Sequence, residues 1–242
     1  MQVIRQGRQL YLILLAFLLI GGRYPASSQN PQLQTKNGNV FPTVGFTCSQ
    51  GDANPPYYSI AVDSAGNATY QSTPQSAAKT GLPYSVEFLA SSATRTKVFQ
   101  LTEKLHFFRG TFKDIDSGGQ VDTYTLSFSE GNVHNQVTYH SSPNPPVQNL
   151  TTLFGRISTT LEFGRRLSVF EAANSVGMDA ELQKMAQMIH AGQLAELQAV
   201  TPVLQHVASD ENLSQVCRQR AQAILNEVKF RQALHEVGIV AL

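Results

Sequence analysis

No apolar run in this sequence is long enough to cross a bilayer: the longest, Leu10–Ile20, falls short of the roughly 20 residues a spanning helix needs. No cysteine follows that run closely, which argues against a lipoprotein anchor. The first cysteine is Cys48 and the only other is Cys217, so at most one internal disulfide can form. Lys and Arg are nowhere clustered, and without a concentrated positive surface nucleic acid is excluded as a partner class. G-x-S-x-G, G-x-x-x-x-G-K-[ST] and H-E-x-x-H are all missing, which removes the signatures of serine hydrolases, P-loop enzymes and zincins. Tryptophan is absent.

What is present begins at the N-terminus. Arg5 and Arg8 precede the apolar run, and GGRYPASSQ, small and polar, follows it. This basic, apolar, small-residue order is that of a secretory signal peptide over residues 1–28, with Ala26 and Ser28 placed for cleavage before Gln29. Arg23 lies between the run and the cut, so an uncleaved N-terminal anchor stays open as the alternative. Residues 1–28 carry Arg5, Arg8 and Arg23 and no acid, so their removal leaves 15 basic against 17 acidic residues, a net −2. The expected protein is exported, periplasmic or secreted, with no membrane span after signal removal.

Composition then divides the remainder. Residues 29–56 are rich in Asn, Gln, Gly and Pro and read as a flexible segment, with VFPTVGF a candidate edge strand because Pro42 cannot donate to a ladder. Residues 57–172 mix strand and helix signals. In YYSIAVDSAGNATYQ, Tyr58, Ile60 and Val62 alternate with Ser59, Ala61 and Asp63, and SAGN supplies the turn of a hairpin. The face bearing Tyr57, Ser59 and Asp63 is left for a partner. A second hairpin follows, with Tyr124, Leu126 and Phe128 before the turn EGN and Val133, Val137 and Tyr139 after it. Between the hairpins, TRTKVFQLTEKLHFF puts Val98, Leu101, Leu105 and Phe108 on one helical face; after them, Leu150, Leu153, Phe154, Ile157 and Leu161 form another. These surfaces bury most simply as an α+β fold, an antiparallel sheet of two hairpins covered on one face by two helices.

From residue 177 to 242 the strand signals stop, the boundary falling in ANSVG, residues 173–177. MDAELQKMAQMIHAG reads as a helix capped by Asp179 and closed at Gly192. LAELQAVTPVLQHVASDENLSQVCRQRAQAILNEVKF reads as two helices split at SDEN, the second striped by Cys217, Ala221, Ile224 and Val228.

Two resemblances rest on these motifs. The order YYSIAVDSAGNATYQ, SSATRTKVFQL, DIDSGGQVDTYTLSF and SPNPP, over residues about 46–165, resembles a family of exported bacterial domains of unknown function. The likeness implies bacterial origin and domain limits, and carries no catalytic residues. In that family a Cys and Pro directly precede the first tyrosine strand, whereas Cys48 lies well upstream of Tyr57. VCRQRAQAIL in turn looks like part of a single HEAT-type repeat, which alone cannot bury both its faces; a plain helical hairpin or three-helix tail is the competing reading.

Candidate chemistry is confined to a few residues. In DIDSGGQVD, Asp114, Asp116 and Asp122 surround Gly118 and Gly119, the hard oxygen ligands and tight backbone that calcium needs. The EF-hand pattern then fails at Thr125, and a solvated acidic turn is the competing reading. His134 and His140 lie on one side of a strand and would need His106 or Asp114 as a third ligand for zinc; otherwise they belong to a hydrated face. His190, His206 and His235 read as surface residues. A disulfide from Cys48 to Cys217 would tie the two parts together, but Cys217 falls on an apolar stripe where a free thiol packs well. Two functions follow: a non-catalytic protein-interaction or structural module of the cell envelope with a protein partner, or a metal-dependent hydrolase or calcium-stabilised domain using residues 114–122.

Overall fold

The sheet is built by six alternating segments. A computed structural model describes residues 41–51, 53–73, 83–112, 122–172 and 177–236, all within one unit spanning Leu33–Leu242. The expected signal peptide, residues 29–40, Asp114, Asp116 and residues 173–176 lie outside the described residues. The strands are β1 (Thr43–Ser49), β2 (Tyr57–Asp63), β3 (Asn67–Thr73), β4 (Tyr84–Leu89), β5 (Thr123–Glu130) and β6 (Val133–Tyr139). Their order is β4-β3-β2-β1-β5-β6, antiparallel throughout.

Both expected hairpins form, β2 with β3 and β5 with β6. In the first, Gly66 takes a φ of 99°, closed to most other residues, and donates its N–H to Asp63 O at 3.0 Å. Register partners Val86, Tyr70, Ile60, Phe46, Leu126 and Val137 line one level of the sheet across all six strands, and this row faces the helices.

Two differences from the sequence reading concern the strands. The segment expected at an edge contributes β1, which sits between β2 and β5. Pro42 precedes β1, so its missing N–H costs the ladder nothing, and its carbonyl accepts the Ser64 N–H at 2.8 Å. The edges are β6 and β4, the latter an unexpected strand whose partly buried Tyr84, Val86 and Phe88 alternate with exposed Ser85, Glu87 and Leu89. On the other sheet face, expected to be free, Ser59, Ala61 and Asp63 are buried, and the Asp63 carboxylate accepts the Asn67 backbone N–H and side-chain amide at 2.8 and 2.7 Å.

Helix α1 (Ser92–Lys104) follows β4 and is capped by Ser91, whose Oγ accepts the Thr94 N–H at 3.2 Å. The helical pattern was expected to continue through Phe108, but the helix stops at Lys104 and His106, Phe107 and Phe108 turn left-handed, with φ of 51°, 56° and 59°. Each such residue costs about 1–2 kcal/mol. Packing offsets that cost: Phe108 is buried, the Phe107 ring lies 4.9 Å from that of Phe128, and Asn135 Nδ2 donates to Phe107 O at 2.9 Å.

Helix α2 (Pro145–Ala172) opens on two prolines, tolerated where the first-turn N–H groups have no helical partner. It lays Val147, Leu150, Phe154, Ile157 and Leu161 on the sheet, with the Phe154 and Phe46 rings stacked 5.0 Å apart. Then come α3 (Met178–His190), a 3-10 turn (Leu197–Val200), α4 (Thr201–Ser209) and α5 (Gln215–Glu236). The break between α4 and α5 falls at SDEN as expected. Asp179 does not cap α3; the helix starts at Met178 without a side-chain cap, and Asp179 instead accepts from Arg220 Nε at 2.9 Å. Leu182, Met185, Leu204, Val207, Cys217, Ala221 and Ile224 are buried in a core continuous with that beneath the sheet. The architecture is α+β, an antiparallel sheet with its helices mainly C-terminal. Among the described residues no helix is long and apolar enough to cross a membrane.

Candidate functional site

Of the three expected calcium ligands only Asp122 is described. It stands just before β5, and its Oδ2 accepts from Gln50 Nε2 at 2.9 Å and from the Tyr124 hydroxyl at 3.0 Å. These donors tie the end of β1 to the start of β5. His134 and His140 are exposed, and His106 lies in the left-handed turn. Among the described residues no group of three or more His, Cys, Asp or Glu side chains is placed to hold a metal ion.

The two cysteines are both buried and both free. Burial, with a smaller effect from nearby Asp122, pushes the Cys48 thiol up to about 11 despite a hydrogen bond with Tyr58. A protonated, enclosed thiol is a poor nucleophile. The neighbouring tyrosines are likewise held protonated. Burial raises Tyr58, Tyr70 and Tyr124, and Tyr84 and Tyr139 are each pushed up to about 12 by burial. Their rings form a chain from Tyr84 through Tyr70 and Tyr58 to Phe46, then through Tyr124 and Tyr139 to Phe112. This end of the sheet is packing reinforced by hydroxyl hydrogen bonds.

Two buried carboxylates escaped the sequence reading. Glu162 on α2 accepts from the Tyr70 hydroxyl at 3.0 Å, Ser72 Oγ at 2.7 Å and Arg165 Nε at 2.7 Å. Ser158 Oγ joins the network through Tyr70 at 3.1 Å. Every partner comes from α2 or β3, so the network fixes how the helix lies on the sheet.

Glu196 makes the more unusual contact. It has a φ of 57°, and its carboxylate reaches the start of α1 from a loop more than a hundred residues later in the chain. There it accepts from Ser91 N at 2.8 Å, Ser91 Oγ at 2.7 Å and Thr94 Oγ1 at 2.5 Å, and from Gln198 Nε2. A helix N-terminus presents unpaired N–H groups and partial positive charge, so a carboxylate is well placed there. The loop is held by α2 from behind. Ala195 N donates to Thr160 Oγ1 at 3.2 Å, and a Cβ on Gly164 would meet Val200 Cγ1 at 2.7 Å, so only glycine permits this approach.

Beside Glu196 opens a groove of about 540 Å³, within the usual range for ligand sites. Its walls are the end of β4 and start of α1 (Leu89–Thr94), the loop 194–198, and Val228, Arg231 and Gln232 of α5. Leu89 is 67% exposed at the rim. The charged groups are already engaged: Glu196 as described, and Arg231 through Nε to Glu227 Oε1 at 2.7 Å and Nη2 to Ile189 O at 3.1 Å. Ser91 Oγ accepts the Thr94 N–H and donates to Glu196 Oε1, the arrangement of a helix cap. The apolar side chains left open are Leu89, Leu194 and Leu197, with polar Ser92, Gln198 and Gln232 beside them, a lining suited to an uncharged, largely apolar guest.

No sequence motif marks this groove, because its walls come from segments far apart in the chain. Exposed Leu89 at the end of an alternating strand is its one local trace. The chain matches no family model and no curated protein.

Proposed function

We propose that the protein is an exported, non-catalytic interaction module of the cell envelope that receives an apolar polypeptide segment in the groove beside Glu196. One observation carries this reading: both charged side chains in the groove wall, Glu196 and Arg231, are engaged within the fold, while apolar Leu89 stands exposed at its rim. Such a surface gains free energy from covering apolar area, about 25 cal/mol per Å². The basic, apolar, small-residue order of residues 1–28 supports export, and the resemblance over residues 46–165 agrees with an envelope setting.

The test is a fluorescence anisotropy titration of the full chain, run to saturation, with a dansylated Val-Ile-Val-Leu peptide carrying a lysine tail for solubility. Saturable binding that weakens about tenfold in Leu89→Asp, a loss of about 1.4 kcal/mol, is the expected outcome. Absence of binding, or equal affinity in Leu89→Asp, overturns the reading. Leu89 is exposed, so this variant should fold, and circular dichroism checks that it does.

A further inference from the structure

The sheet ends in an edge that leads into this groove. Strand β4 pairs with β3 residue for residue, from Ser72↔Tyr84 to Asn67↔Leu89, and among the described residues no strand lies on its other side. The Ala90 N–H donates to Gly66 O at 2.8 Å, one step beyond Asn67↔Leu89, and this sets the phase of the ladder. In an antiparallel pair the residues turned toward the partner strand alternate. Tyr84, Val86 and Phe88 therefore direct their backbone groups to β3, and Ser85, Glu87 and Leu89 present theirs outward. Gln198 agrees with this phase: its Nε2, in the groove wall, meets Leu89 O at 3.4 Å.

The edge lacks the usual protection. Native sheets blunt exposed edges with bulges, prolines or lysines; Tyr84–Leu89 contains no proline or lysine, and its pairing with β3 is uninterrupted. A strand laid antiparallel against it sets two residues opposite Val86 and Phe88, whose side chains are partly buried on the helix side, and a third beside exposed Leu89. Apolar residues fit all three places. Glu87 is exposed on the same face as Leu89. Opposite charges directly across a strand pair attract and like charges repel, so lysine or arginine fits opposite Glu87. A second copy of β4 would bring its own glutamate to this face and is the poorer match.

We infer that the partner segment binds by adding to β4 as an antiparallel strand of the pattern apolar-apolar-basic-apolar-polar, its basic residue across from Glu87 and its N-terminal end continuing into the groove. The existence of a partner segment rests on the reading above; the open edge and its phase do not. Main-chain hydrogen bonds supply the affinity of such a strand and alternate side chains its specificity.

The full chain is titrated by fluorescence anisotropy with the peptide Leu-Val-Lys-Val-Thr, labelled at its threonine end, and with two singly N-methylated forms. The lysine faces Glu87, so its main-chain N–H points at β4, whereas the N–H of the valine after it, which faces Val86, points away. Methylating the lysine main-chain nitrogen should weaken binding about tenfold, and methylating that valine nitrogen should leave it within about twofold. Glu87→Lys, at an exposed position, should weaken the unmodified peptide about threefold; no change there removes the basic residue from the pattern. If both methylations act alike, strand addition is overturned, and binding that still weakens in Leu89→Asp leaves the groove reading standing. The expected methylation pattern with equal affinity in Leu89→Asp does the reverse. If only the Val-Ile-Val-Leu peptide binds, strand addition alone falls; if neither binds, both fall. Sedimentation showing a dimer that the peptide dissociates assigns the edge to a second copy and likewise overturns the inference.

Discussion

The sheet with its covering helix and the C-terminal helices share one core but are held together differently. Beneath the sheet the contacts are aromatic, with Phe46, Tyr58, Tyr70, Tyr124, Tyr139 and Phe154 in ring contact, and the network of Glu162 with Tyr70, Ser72 and Ser158 is enclosed. In the C-terminal helices the buried residues are aliphatic, as at Leu182, Met185, Leu204, Val207 and Ile224. Their polar ties there are partly exposed ion pairs, Arg166–Glu181, Arg220–Asp179, Arg231–Glu227 and His206–Glu171. Enclosed networks are costly to break, whereas exposed pairs contribute little. The difference teaches where specificity of packing resides: α2 is locked onto the sheet by directional contacts, and the helical region is attached through α2 and through the reach of Glu196 to α1.

The sharpest way to break this comparison is to empty one core and watch the other. Phe154→Ala should cost about 3–5 kcal/mol and Leu204→Ala about 2–5 kcal/mol. Because the core is continuous, each should lower the melting of the tyrosine near-ultraviolet signal and of the helical far-ultraviolet signal together. Separate transitions in either variant would show two independently stable regions and end the single-core account.

Next in size is a comparison of buried Glu162 with buried Glu196. Glu162→Ala leaves Tyr70, Ser72 and Arg165 without their acceptor and should cost about 3 kcal/mol in denaturant unfolding. Glu196→Ala should cost less, about 1–3 kcal/mol, because the groove admits water to the freed Ser91 and Thr94 donors. It should also raise amide exchange in the first turn of α1 while leaving β3 protected. Faster exchange in β3 than in α1 would contradict the role given to Glu196.

The smallest effect is expected at an exposed pair. Glu171 accepts from His206 Nδ1 and holds the imidazole above its ordinary value. A group raised on folding stabilises below its unfolded pKa, about 6.5, and loses that contribution as pH rises through the folded value. The wild type should therefore melt slightly above His206→Gln near about pH 5 and level with it near about pH 9. The reverse order would remove the ion pair from the account.

Much of the fold was legible in the chain because period-two and helical patterns mark which face of an element is apolar. Both hairpins and the helices after residue 145 follow from such patterns. β4 carries the same alternation at Tyr84, Val86 and Phe88, and β1 is central although Pro42 points to an edge, because the proline lies just outside the ladder. The end of α1 was hidden, since the apolar spacing runs on through Phe108 although the backbone reverses hand. Of the candidate site almost nothing is legible in the sequence: the acidic residues of 114–122 are contiguous and form a visible motif, whereas the groove's walls lie at 89–94, 194–198 and 228–232.

The sequence by itself determined the α+β class, the turn at Gly66 and the apolar faces, because these depend on periodicity and on local backbone preference. Only the tertiary structure decided that β1 is central, that Ser59 and Asp63 are enclosed, and that Glu196 satisfies a helix more than a hundred residues away. Those outcomes depend on which surfaces meet, and a carboxylate's surroundings are set by the partners that packing brings to it.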